Sequence, residues 1–219
     1  MGFLSISKFL LILIIPLLLF IFVLNFYGFD STFYQEKFRE YQVQKNTSEA
    51  IYIHETLINF IRGKNNQIPD EFNERERQHL WDVRSIVKIS TILLYIFIIL
   101  FVILLLASAF ILKINNLVTN FVGKVLVFGG FLTIALAAIL FLFISSDFSA
   151  TFESFHRILF EKGSYIFDPK KDLIVNLYPE QLFMELGAKI SRGVLVTSII
   201  IIIIGLILIF KSKSKKNKK

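Results

Sequence analysis

Cysteine is absent from the 219 residues, so disulfides, thiolate metal ligands and a cysteine nucleophile are all excluded. Charge is scarce too: Asp, Glu, Lys and Arg make up 19% of the chain, against roughly 25% in a typical soluble domain. Histidine occurs three times. No Gly-rich phosphate loop, nucleophile elbow or nucleotide fingerprint is found in the sequence. What is there instead is apolar: 55% hydrophobic residues, 15% aromatic, and a mean hydropathy of +0.66. The excess is concentrated in a few long runs, which excludes a soluble enzyme, a disordered chain and a secreted disulfide scaffold.

A helix needs about 20 apolar residues to cross a hydrocarbon core of roughly 30 Å. Four stretches meet or approach that length: Phe9–Leu24, Ile92–Leu112, Val125–Ile144 and Gly193–Phe210, the last with a block of six isoleucines. They predict spans at about 7–27, 89–112, 125–145 and 193–210 in a single integral membrane domain of residues 1–219. Outer segments of about 28–88 and 146–192 and a basic tail, 211–219, complete it. The first run leaves through Leu24, Asn25, Phe26 and Tyr27, where signal-peptide cleavage wants small residues, so this span is expected to be retained. Polar residues inside the spans (Ser108, Thr133, Thr197, Ser198) are not ionisable, which argues against an ion or proton pathway.

Charge sets the orientation. The segments before the first span, between the second and third, and after the fourth carry Lys8, Lys113, Lys124 and six lysines from Lys211 to Lys219, with no acid among them. The two long loops hold 15 basic and 17 acidic residues. Because Lys and Arg are retained on the cytoplasmic side, both termini are expected inside and both long loops outside. The net charge of +7 is therefore a topology signal, and the lysine tail is expected to meet anionic lipid headgroups, not nucleic acid.

The first outer segment reads as helical. Thr47 or Ser48 can cap a helix with an apolar stripe of Ile51, His54, Leu57, Ile58 and Ile61, ended by Gly63. Asn73 and Glu76 have the spacing of a capping box for a helix over 74–88 that runs on into the second span. In the second outer segment, Phe152, Phe155 and Leu159 predict a short amphipathic helix continuing from the third span. Tyr165–Phe167 and Leu173–Leu177 are strand candidates around an Asp168–Pro169 turn. Pro179 and Glu180 suit the start of a last helix, lying along the interface ahead of the fourth span. The expected fold is thus an all-α membrane protein: four transmembrane helices, cytoplasmic termini, and two extracytoplasmic segments carrying helices and a short β-hairpin.

All three histidines fall in the outer segments. His79 precedes the second apolar run by 13 residues and His156 follows the third by 12, offsets that allow the two imidazoles to face each other. An unperturbed imidazole pKa of about 6.5 suits acid–base work near neutrality. Asp82 at i+3 and Arg75 at i−4 can tune His79 from one helix face. His54, on an apolar stripe, is expected to be packed. A competing chemistry is metal-dependent hydrolysis through the Glu-x-x-His pair Glu153 and His156.

The run Phe72-Asn-Glu-Arg-Glu-Arg-Gln-His79-Leu-Trp81-Asp82-Val-Arg84 resembles the first signature of the lipoprotein intramolecular transacylases, a family of four-span integral membrane proteins. Phe155-His156, then Tyr165-Ile-Phe-Asp168-Pro169, then Pro179-Glu180 resemble the second. Motif order, span number and loop sizes agree over nearly the whole chain. The resemblance implies an acyltransferase that moves an acyl chain from the sn-2 ester of a diacylglyceryl-cysteine lipoprotein to that cysteine's α-amine, giving a lyso-form lipoprotein. It implies His79 and His156 as catalytic residues, diacylated lipoprotein and membrane lipids as partners, and a multi-pass cell-membrane location with the site on the extracytoplasmic side. No cofactor or resident metal is expected.

An α-amine with a pKa near 7.7–8.0 needs a base as it attacks, and the leaving glycerol oxygen needs an acid. The sequence leaves open which ring starts as which, with His156 as base and His79 as acid the working assignment. Trp81, Phe155 and Tyr165 are expected among the interfacial aromatics. Asp82, Asp168 and Glu180 can orient an imidazole or the amine, and Arg84 can bind a lipid phosphate. A non-catalytic four-helix membrane scaffold is the other alternative.

Overall fold

The computed structural model describes residues 2–43, 49–161 and 163–216, and among them every regular element is an α-helix. In chain order these are α1 (Phe3–Gly28), α2 (Ser31–Glu40), α3 (Ala50–Ile61), α4 (Glu74–Leu112), α5 (Asn115–Ser146), α6 (Phe148–Leu159), α7 (Leu173–Leu177) and α8 (Glu180–Lys216). Four of them, α1, α4, α5 and α8, are long and apolar enough to cross a membrane, as the apolar runs predict. The chain divides into two compact units. One comprises Met1–Asn25, Ile92–Leu142 and Ile190–Lys219; the other comprises Phe26–Thr91 and Phe143–Lys189.

The first unit holds the apolar runs. Its core is Leu11, Ile15 and Val125, with Phe101, Leu104, Phe121 and Ile201 packed around them. Small residues set the helix spacing where α5 meets α8. A Cβ on Gly123 would stand 2.7 Å from the Gly205 carbonyl oxygen, and a Cβ on Gly205 would stand 2.7 Å from that of Gly123. The two backbones touch, as small-residue packing between membrane helices permits. The few polar side chains here find partners within the protein: the Ser7 and Ser108 hydroxyls bond each other at 2.7 Å, and Thr133 and Ser198 donate back to carbonyls four residues earlier. That is what an apolar solvent demands of them.

The second unit holds the histidines. Helix α3 buries Ala50, Ile53, His54, Leu57 and Phe60, an i, i+3, i+4 stripe one step away from the one expected, because this helix is apolar on most of its faces. The expected caps Thr47 and Ser48 lie outside the described residues. Its C-terminus is a Schellman turn: Gly63, at φ +72°, donates to Phe60 O, and Lys64 donates to Asn59 O, each at 2.9 Å. Helix α2 is tied to α8 by ion pairs, Lys189 with Asp30 at 2.6 Å and Lys37 with Glu185, and Tyr41 also donates to Glu185. The Lys189 ammonium holds the Asp30 carboxyl below its ordinary range.

Three expectations for the second outer segment are corrected. There is no β-hairpin among the described residues. Leu173–Leu177 is helix α7, and Tyr165–Phe167 belongs to neither helix nor strand. A lone two-stranded hairpin is marginal in any case. Here Asp168 O accepts from the N–H groups of Lys171 and Asp172 at 2.9 and 2.8 Å, and the Ile174 N–H that a ladder would need is taken by the Glu76 carboxylate at 2.7 Å. Helix α6 does not continue α5: Asp147, extended at φ −157°, separates them and caps α6 by accepting from Ala150 N–H at 3.0 Å. The last helix is one 37-residue element, with no break between Glu180 and the fourth span.

The glycine contact is testable. Gly123→Ala pushes a methyl group against the α8 backbone, and overpacking of this kind costs about 1–3 kcal/mol. The purified variant should melt several degrees below wild type in detergent; an unchanged melting temperature would show that α5 and α8 are not in backbone contact.

Candidate active site

The site is built from the start of α4. The Asn73 side-chain oxygen accepts from the Glu76 N–H at 3.1 Å, and Glu76 Oε2 accepts from the Asn73 N–H at 2.8 Å, completing the capping box read from the sequence. Once the first turn is fixed, helical periodicity buries Glu76, His79 and Leu80 together, with Phe72 buried just ahead of the helix. His79 is 6% exposed. Helix α6 brings Phe152, Phe155 and His156 onto neighbouring positions, and His156 is half-buried.

The two imidazoles meet. Their centroids are 6.3 Å apart with ring planes 23° from parallel. Aromatic rings surround them: Phe160 lies 4.6 Å from His79 and 5.4 Å from His156, and Phe167 meets His79 edge-on at 5.3 Å. Phe152 and Tyr165 flank His156 at 4.2 and 5.4 Å. His156 Nδ1 lies 2.8 Å from Phe152 O. A carbonyl oxygen can only accept, so Nδ1 carries the hydrogen and Nε2 of the neutral ring keeps its lone pair. His79 Nδ1 is buried with no hydrogen-bond partner among the described residues.

Both rings lie outside the four apolar runs, and both are harder to protonate than a free imidazole. Burial, reinforced by the facing His156, lowers the His79 pKa to about 4. Burial also lowers that of His156, opposed by its bond to the Phe152 carbonyl. The pair is neutral at rest, and two protons on it at once are disfavoured.

The other candidate residues distribute around this pair. Phe155 reaches His156 edge-on at 5.5 Å while staying 55% exposed. Trp81 packs edge-to-face on Phe60 at 4.8 Å, and Arg84 lies over both rings while donating to Asn65 O and Asn66 Oδ1. Arg84 thereby braces the 63–66 turn. Asp82 accepts from Gln78 at 3.5 Å on an exposed face, and Glu180 accepts from the Ser149 hydroxyl, so neither carboxylate bonds an imidazole. Asp168 accepts from Lys170 N–H and donates its own N–H to Asp172. Glu153 is exposed, and among the described residues no group of three or more His, Asp or Glu is placed to hold a metal.

His54 is packed as expected, fully buried against Tyr34 and Phe38, with its Nδ1 2.9 Å from the Tyr178 hydroxyl. Burial lowers its pKa to about 4 as well.

Two residues with a part in the site are not evident in the sequence. Glu76 reads as a cap, but its second oxygen also holds Ile174 N–H, and Asp172, 3% exposed, accepts from Asn73, Arg75 and the Asp168 N–H. The bonds to Asn73, Arg75 and Ile174 join positions nearly a hundred residues apart, so no local spacing announces them.

Buried neutral histidines make stability depend on pH with a definite sign. His54 and His79 have folded pKa values near 4 and unfolded values near 6.5. Between those limits the unfolded chain binds more protons, so stability rises with pH and is lost as pH falls from about 6.5 towards about 4, by up to roughly 3 kcal/mol per ring. Thermal melts in detergent should show this loss, and His79→Gln should remove about half of it. A stability that is flat across that window would contradict the buried neutral rings.

A family model described as lipoprotein intramolecular transacylase Lit matches residues 5–183. A comparison with curated protein sequences gives no match. Among solved structures, the membrane-integral lipoprotein intramolecular transacylase Lit from Bacillus cereus superposes with a TM-score of 0.84 at 22% identity, over 96% of this chain and 98% of that one. Variants of that protein with a histidine changed to arginine or to alanine superpose with TM-scores of 0.79 at 21% identity. They cover 97% and 96% of this chain, and 94% and 96% of theirs. The fold is therefore shared along the whole length, and the family model covers most of it. The chain belongs to the lipoprotein intramolecular transacylase family of membrane acyltransferases.

Proposed function

We propose that this protein moves an acyl chain from the sn-2 ester of a diacylglyceryl-cysteine lipoprotein to the cysteine α-amine, using His79 and His156 as the acid–base pair. The observation that carries this reading is the approach of the two imidazoles, 6.3 Å apart, from positions 77 residues apart in sequence. The substrate brings its nucleophile and its ester in one molecule. Positioning then supplies much of the acceleration, and no covalent enzyme intermediate is needed.

The proton account closes with two rings. An α-amine of pKa near 7.7–8.0 arrives largely as an ammonium and has two protons to shed. The first is lost to water, because burial makes His79 too poor a base to take it. The second leaves as the nitrogen–carbonyl bond forms and is taken by Nε2 of His156, the nitrogen that the Phe152 carbonyl leaves free. When the ester C–O bond breaks, the proton held by His156 is passed on through His79 to the glyceryl oxygen, so the pair never carries two protons at once. The products are an amide, a free hydroxyl and one released proton.

Orientation follows from the lysines: Lys8, Lys113, Lys124 and the tail mark the cytoplasmic side, so the histidine-bearing unit faces the extracytoplasmic leaflet, where lipoprotein acyl chains meet headgroups. The aromatic shell around the rings suits an acyl chain better than water.

Expression in a bacterium that makes diacylated lipoprotein but lacks N-acylation tests the reading. Mass spectrometry of the reporter's N-terminal peptide should show one acyl group on nitrogen with the total mass unchanged, and His79→Asn or His156→Asn should abolish the transfer. A free amine with well-expressed wild-type protein would overturn it. Full transfer by either variant would favour a scaffold role for the pair.

A further inference from the structure

The described residues of the segment from Phe160 to Asp172 lie outside any helix or strand, yet they carry three of the rings that enclose the histidines, Phe160, Tyr165 and Phe167. Something other than secondary structure must hold that segment in place. Two buried carboxylates do so. Asp172 accepts from the Asn73 side-chain amide at 2.8 Å, from the Asp168 N–H at 2.6 Å and from the Arg75 guanidinium. Glu76, 1% exposed, accepts from the Asn73 and Ile174 N–H groups at 2.8 and 2.7 Å. Every one of these bonds involves the first turn of α4 or the 168–174 stretch, and most join the two.

From this clamp a continuous contact path leads to the catalytic ring. The Arg75 guanidinium, fixed by Asp172, sits 5.2 Å over the Phe167 ring, and Phe167 meets His79 at 5.3 Å. Burying two carboxylates is costly, and an apolar core of the same volume is often no less stable. An arrangement this expensive is better explained by the geometry it enforces than by the stability it adds.

We propose that Asp172 is a positioning residue for acyl transfer, acting through Arg75 and Phe167 to keep the His79 ring dry and aligned with His156. Glu76 completes the clamp by locking α7 to the start of α4. This rests on the acid–base reading of the histidine pair. The facing titratable group on His79 is His156, from α6; on its own helix Arg75 lies one turn earlier. Opening the clamp admits water to His79 and releases the burial that lowers its pKa.

The test uses the full-length protein in detergent with isotopically labelled histidine, whose three side chains can be titrated separately by NMR. Asp172→Ala should raise the His79 midpoint by a unit or more and move His54 much less, since Tyr34 and Phe38 of α2 also pack on His54. The same variant should lower kcat on a synthetic diacylated lipopeptide by on the order of 10²-fold, as expected for a misplaced reacting group, with a smaller change in KM. Asp172→Asn, which keeps the shape, and Phe167→Leu, which keeps the clamp but removes the ring, should shift His79 in the same direction; they carry the test if Asp172→Ala does not fold. An unmoved His79, or His54 and His79 shifting together as in general loosening, overturns the proposal. The titration needs no turnover, so it stands apart from the activity assay: wild type without N-acyl product would count against the function and leave the clamp to be judged by NMR.

Discussion

Removal of His79 from water is the constraint on which the site depends. A solvated imidazole would hold its own proton for much of the time near neutrality and would be an indifferent acid. With 6% exposure and the rings of Phe160 and Phe167 against it, His79 resists protonation, and a proton placed on it is readily given up. His156, half-buried and with Nδ1 committed to the Phe152 carbonyl, keeps one basic nitrogen. Environment thus separates two chemically identical groups, as the proposed division into acid and base requires.

The helices deliver these environments economically. Helix α4 is a single element from Glu74 to Leu112, so the same helix carries a membrane span and, as its sixth residue, His79. Helix α6 is separately capped at Asp147, which sets its phase independently of α5 and so directs Phe152 and His156 together. The apolar unit needs little chemistry of its own: close backbone contact at Gly123 and Gly205 and inward hydrogen bonds from Ser7, Ser108, Thr133 and Ser198 are enough to satisfy an environment without water.

Much of this was legible in the sequence because it is local or periodic. Four apolar runs announced four spans, Asn73 and Glu76 announced a helix start, and Gly63 announced a helix end; the offsets of His79 and His156 only allowed the rings to meet, because α6 is phased by its own cap at Asp147. What escaped was decided by long-range partners. Leu173–Leu177 has the composition of a strand, but an isolated apolar run takes whatever its neighbours offer, and Glu76 offered a helix start. Asp172 looks like any loop carboxylate until Asn73 and Arg75 arrive from 97 and more residues away. Asp82 and Glu180, expected to orient an imidazole or the substrate amine, bond Gln78 and Ser149 in this structure.

If the two imidazoles act as one unit, their losses cannot multiply. The most direct measurement is therefore a mutant cycle on purified protein, with a lipopeptide labelled in its sn-2 acyl chain and the label followed to nitrogen for His79→Asn, His156→Asn and the double variant. The account predicts that the double variant is no slower than the slower single one. Single losses that multiply in the double variant would contradict it.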